Sequence, residues 1–173
     1  VHVIAFLDPK CADSKSYNNR IYPMIKEKYI DTNKILYTVI PVSFIPDSTP
    51  ASVALLCAYN QDPKSPNPEL FMKYLNYLYE HQPPEHTDWT TTATLVSFAK
   101  KASPAIDIKN IEGCINKQEY RHQIAKNTEY EEILIGHPQA PVLFIDGMRL
   151  EQVSAKNIQK LMKAAFLEKG VTL

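Results

Sequence analysis

At 173 residues with 45% apolar content, the chain can build one sizeable core, or a domain carrying an inserted subdomain. Lys+Arg and Asp+Glu both number 19, so the formal net charge is zero, and no basic block with interleaved aromatics occurs; this argues against nucleic acid as the main partner. The apolar stretches are broken by charges, Pro or Thr well short of a bilayer, so no membrane span is expected in this chain.

Thirteen prolines against four glycines fall mostly between periodic segments and punctuate the chain. Residues 1–7 read as a strand, and Cys11 to about Tyr29 as a helix with Ile21, Met24 and Ile25 on its apolar side. Residues 35–44 are β-branched and aromatic and read as a buried strand. A helical middle follows. Thr49-Pro50 offers a capping hydroxyl before a first-turn proline, Asn67-Pro68-Glu69 repeats that signal, and Thr87-Asp88 opens a third helix through Leu95, Phe98 and Ala99. Shorter helical segments run from Ile108 to Ile115 and from Tyr120 towards Leu134. Pro141 to Ile145 then reads as a strand, Asp146-Gly147 as a hairpin turn, and Met148 to Leu150 as the returning strand. Ser154 starts a closing amphipathic helix through Ile158, Leu161, Met162 and Phe166. The order is βαβ, a helical block, a β-hairpin and a helix, which predicts an α/β thioredoxin-like fold with an all-helical insertion. The expected boundaries are 1–47 plus 136–173 for the discontinuous thioredoxin-like domain and 48–135 for the inserted helical one.

Cys11 carries the chemistry. It lies at a strand-to-helix junction, where free backbone N–H groups and the positive end of a helix dipole favour thiolate, the nucleophilic form. Ala12 and Asp13 follow, with neither His nor Pro between Cys11 and Ser14. Asp13 suits the helix dipole but opposes a nearby thiolate, and Lys10 and Lys15 are read as solvated. Ser14 stands where a redox dithiol carries its second cysteine. Its hydroxyl can hydrogen-bond a thiolate but cannot resolve a mixed disulfide. It is either natural to a monothiol protein or an engineered replacement of cysteine, and the sequence leaves both open.

The segment Phe6-Leu7-Asp8-Pro9-Lys10-Cys11, the helical stretch Cys57-Ala58-Tyr59-Asn60-Gln61 with Phe71 and Tyr74-Leu75, and Ala140-Pro141-Val142-Leu143-Phe144-Ile145-Asp146-Gly147 occur in that order. Together they resemble the DsbA-like family of thioredoxin-fold thiol–disulfide oxidoreductases, over nearly the whole chain. The resemblance implies that Cys11 attacks substrate disulfides and that Pro141 is cis and faces the thiol beside Ala140. Without Cys11 upstream, Pro141 would read as an ordinary trans, strand-edge proline. It also implies a structural disulfide between Cys57 and Cys114, stabilising by roughly 3–5 kcal/mol; two buried thiols are the alternative. Such a bond would mark an exported protein, periplasmic or in the cell envelope, whose signal or anchor has been removed.

The five histidines show no metal-ligand spacing, so no metal and no cofactor are expected. His137 falls in the loop before Pro141 and is a candidate to approach Cys11, with a plain surface histidine as the alternative. Partners would be thiol- or disulfide-containing proteins and a redox partner that reoxidises or reduces the chain. Two other classes remain: a glutathione-dependent enzyme like the kappa-class transferases or their isomerase relatives, and a non-catalytic peptide-binding module. The former carry Ser at the reactive position, whereas this chain keeps Cys11 there.

Overall fold

A computed structural model describes residues 1–170. In β1 (His2–Leu7), Val3, Ala5 and Leu7 face one side of the sheet and Ile4 and Phe6 the other, as period-two geometry requires. β2 (Leu36–Pro41) pairs parallel to it, with His2 opposite Leu36 and Leu7 opposite Pro41. β3 (Val142–Ile145) runs antiparallel on the other side, with Val3 opposite Ile145, and β4 (Met148–Arg149) completes the order β2-β1-β3-β4. The sheet is mixed, as a βαβ unit joined to a hairpin dictates.

A parallel pair needs a crossover. It is supplied by α1 (Ala12–Arg20), α2 (Tyr22–Ile25) and a π-helical turn (Lys26–Ile30). The sequence predicts a single helix here; it breaks at Ile21, two residues before Pro23, which has no N–H to donate back into the preceding turn. β2 also ends earlier than the expected residue 44. The amide of Ser43 turns to Thr128 Oγ1 and those of Phe44 and Ile45 to Asp8 Oδ2, so side chains take the donors that a ladder would use.

The helical block comprises α3 (Thr49–Tyr59), α4 (Pro68–His81), α5 (Thr92–Ala102), α6 (Ile108–Lys117) and α7 (Arg121–Ile135); α8 (Ala155–Glu168) closes the described chain. Asn67, Thr91, Asp107 and Ser154 cap α4, α5, α6 and α8 through their side-chain oxygens. Two predicted starts are corrected. Ser48, not Thr49, stands at the α3 N-cap, and it spends its hydroxyl on Asp8 rather than on the helix. α5 begins at Thr92 rather than Thr87, because Thr87 bonds back to Pro84 O and Thr90 donates to Asp47 O, holding 82–91 as a loop over buried Trp89.

One core runs from Val3, Ala5, Leu7, Leu143 and Ile145 through Tyr17, Ile25 and Phe166 into Leu75, Leu78 and Tyr79 of the helical block. On the opposite face, Phe6, Val42 and Val142 are covered from α7 by Ile135 and by Tyr130, whose ring lies 6.3 Å from that of Phe6. The hairpin turn has φ of 47° at Asp146 and 83° at Gly147, the left-handed pair that a two-residue turn requires. Asp146 Oδ1 accepts from His2 N at 2.7 Å, while Oδ2 pairs with Lys169 at 2.8 Å. No helix among the described residues is long and apolar enough to cross a membrane.

Candidate active site

Cys11 is the N-cap residue of α1, with extended backbone angles and no capping bond from its own side chain. The turn that delivers it is built by Asp8. Its Oδ1 accepts from Lys10 N at 2.8 Å, and its carbonyl accepts from Cys11 N at 3.1 Å and from Tyr79 Oη at 3.0 Å. Asp8 Oδ2 gathers Phe44 N, Ile45 N and Ser48 Oγ at 2.8–3.1 Å, tying the end of β1 to the segment that follows β2. Asp8 is fully buried, and burial raises its pKa against the lowering effect of those hydrogen bonds.

The thiol is 6% exposed and its Sγ donates to Ala140 O at 3.4 Å. The Ala140–Pro141 bond is cis. Ala140 and Pro141 therefore lie against Cys11 although they are some 130 residues away in sequence. The backbone amides of Ser14 and Asp13 and the Ser14 hydroxyl favour the thiolate, as the helix N-terminus predicts. Burial outweighs them, and with the negative charge of Asp8 it pushes the thiol above its usual range. Position favours the thiolate, and burial opposes it: desolvation of the sulfur exceeds what the three donors return.

Ser14 is fully buried, and its hydroxyl lies close enough to favour the thiolate of Cys11 without forming a hydrogen bond in the present state. Ala12 and Asp13 are exposed beside it. Lys10, expected to be solvated, is instead buried and donates from Nζ to Pro46 O at 2.7 Å; Lys15 donates to Gln82 O at 3.2 Å. Both lysines thus point their charges to carbonyls rather than to Asp13. His137 is exposed and its ring bonds Gln139 Oε1 at 3.3 Å, with no hydrogen bond to Cys11. Cys57 on α3 and Cys114 on α6 are joined as a disulfide, leaving Cys11 as the free cysteine.

Sequence reasoning missed four contributors. Asp8 lies inside the lead-in motif, and its Asp-Pro pair signals only a turn. Tyr79 reads as core. Glu85, in the loop after α4, accepts from Ala12 N at 2.8 Å with nothing in the sequence to join them. Glu131 on α7 is fully buried with neither carboxylate oxygen hydrogen-bonded, although Glu-rich helix turns ordinarily face water. Its pKa is raised to about 7 by burial and by the charge of Asp8, against the opposing Gln139 amide and Arg149 guanidinium.

A family model described as Thioredoxin matches residues 1–164. The chain belongs to the thioredoxin family. Within that family its architecture is DsbA-like. The structure of Chlamydia trachomatis DsbA superposes with a TM-score of 0.88 at 28% identity, covering 98% of this chain and 87% of that one. Oxidised BdbD from Bacillus subtilis gives 0.84 at 21% identity over 96% and 87%, a likeness of fold. A probable disulfide bond formation protein D of Bacillus cereus is 26% identical over 148 residues, 85% of this chain and 66% of that protein. The chain spans 56–66% of the length of the curated relatives it matches.

Proposed function

We propose that this thioredoxin-family chain is an extracytoplasmic thiol–disulfide oxidoreductase that acts on protein disulfides through Cys11. The observation that carries the reading is the placement of a single free thiol at a helix N-terminus, against the Ala140 carbonyl and the cis bond to Pro141. The names of the curated relatives point the same way.

In the reaction, the Cys11 thiol gives up its proton. The sulfur, then facing the Asp13 and Ser14 amides and the Ser14 hydroxyl, attacks one sulfur of a substrate disulfide. The new bond joins Cys11 to that sulfur and the other substrate sulfur leaves as thiolate. Ser14 occupies the resolving position and has no sulfur to displace the substrate. Release therefore needs an external thiol, either the one just liberated or that of a redox partner. Burial raises the thiol pKa, so attack is expected to become faster as pH rises. Protein thiols or disulfides are thus the substrates in this reading, and a second redox protein returns the chain to its starting state. The Cys57–Cys114 disulfide supports export, since such bonds persist in oxidising compartments. The division into a discontinuous thioredoxin-like unit, 1–47 with 136–173, and an inserted helical unit, 48–135, belongs to this reading.

The test is insulin reduction by dithiothreitol, run on the chain and on Ser14→Cys in parallel. The variant is expected to turn over faster than the parent. The parent, reduced and then freed of dithiothreitol before insulin is added, is expected to accumulate as a mixed disulfide through Cys11. Absence of both turnover and adduct would remove the oxidoreductase reading.

A further inference from the structure

The loop between α4 and α5 is latched onto the reactive segment by three hydrogen bonds. Gln82 Nε2 donates to Pro9 O at 2.9 Å, Lys15 Nζ donates to Gln82 O at 3.2 Å, and Ala12 N donates to Glu85 Oε2 at 2.8 Å. The Gln82 side chain is buried, so the loop is anchored rather than loosely apposed. Ala12 opens α1, so Glu85 takes the amide immediately after Cys11, while the next two amides, of Asp13 and Ser14, face the sulfur. One helix end thus serves two groups, a carboxylate already seated and a thiolate that forms in the reaction. Like charges on adjacent donors oppose each other.

Among the other charged and titratable groups around Cys11, the buried Asp8 also opposes the thiolate, and the hydrogen bonds of all of them lie away from the sulfur. Asp8 is held by its own ring of donors, Lys10 bonds Pro46 O, Lys15 bonds Gln82 O, Tyr79 bonds Asp8 O, His137 bonds Gln139 and Asp13 is exposed. Among the described residues no lysine, arginine or histidine forms a salt bridge with Glu85. Its charge is met by the Ala12 amide and by no ion pair.

We propose that Glu85 is a positioning residue through which the helical block tunes the reactive thiol: its carboxylate, seated on the Ala12 amide, disfavours the Cys11 thiolate and repels acidic flanks of an approaching substrate. The inference rests on Cys11 being the reacting thiol and adds what sets its acidity and its choice of partner.

Because Cys57 and Cys114 are joined, carbamidomethylation by iodoacetamide reports Cys11 alone. Rates measured from pH 5 to 11 on the parent, Glu85→Gln and Glu85→Ala should show the midpoint moving down in both variants. Alkylation at pH 7 should become about threefold to tenfold faster at low salt, with the gain shrinking in 1 M salt. A second arm measures mixed-disulfide formation with two synthetic peptide disulfides, one with glutamates and one with lysines beside the cysteine. The parent should react faster with the lysine peptide, and Glu85→Lys should reverse that order. An unmoved midpoint with unchanged peptide preference overturns the role of Glu85 and leaves Cys11 as the reacting thiol. A Cys11 that no reagent reaches at any pH overturns both.

Discussion

Two regions of the molecule bury a carboxylate, and they do so in opposite ways. In the turn beneath Cys11, Asp8 is fully buried and accepts from Lys10 N, Phe44 N, Ile45 N and Ser48 Oγ. Behind the sheet on α7, Glu131 is equally buried and both of its oxygens lack a partner. Both groups have raised pKa values with burial as the largest cause. The difference lies in what each gives back. Asp8 organises three backbone amides and a hydroxyl around the turn that carries the thiol, so its burial is structural. Glu131 organises nothing by hydrogen bonding and stands as a proton-holding group near neutrality.

The comparison sets a ladder of effects. Asp8→Ala should cost the most, about 4 kcal/mol, because four donors lose their acceptor in a dry turn. Asp8→Asn should cost nearly as much, since its amide presents a donor where an acceptor oxygen stood. Urea unfolding midpoints measure both, and a loss below about 1 kcal/mol would break the contrast. Next comes Glu131→Gln. The native carboxyl titrates at about 7 instead of the usual 4.5, so between those values the native state keeps a proton that the unfolded chain releases, and stability falls as pH rises. The glutamine variant escapes that loss. It should match the parent at pH 4 and exceed it by up to about 3 kcal/mol at pH 8. Equal midpoints at pH 8 would show that Glu131 is solvated in solution. Ser48→Ala should have the smallest effect, about 1 kcal/mol, removing one of the four Asp8 donors. Its measure is the same urea midpoint, and a loss as large as that of Asp8→Ala would mean that the donors act as an inseparable unit.

Much of the scaffold was legible because it rests on local signals. The alternation of Val3 to Leu7, the Asn67 and Ser154 caps, and the Asp146-Gly147 turn each follow from a few adjacent residues. Cys11, Ser14, Ala140 and Pro141 were legible as a set from the resemblance, and the structure brings them together. What escaped depends on distant groups outbidding neighbours for the same donor. β2 stops at Pro41 because Asp8 captures the amides of Phe44 and Ile45 from across the sheet. α5 starts late because Thr90 and Thr87 find carbonyl acceptors outside any helix. Glu85 and Ala12 are 73 residues apart, and no periodicity links them. The acidity of Cys11 escaped for another reason: dipole and amides can be read from position, whereas desolvation is known only once the walls are in place.

The double attachment of Asp146, to His2 at the start of β1 and to Lys169 just beyond α8, gathers both ends of the described chain at one turn. β1 runs from that turn towards Cys11 over six residues, about 20 Å at the rise of a strand. Whatever is joined ahead of β1, whether a tag, a tether or a fused protein, departs from the pole opposite the thiol. Immobilising the protein on a surface through Val1 would therefore leave its reactive rim pointing outward.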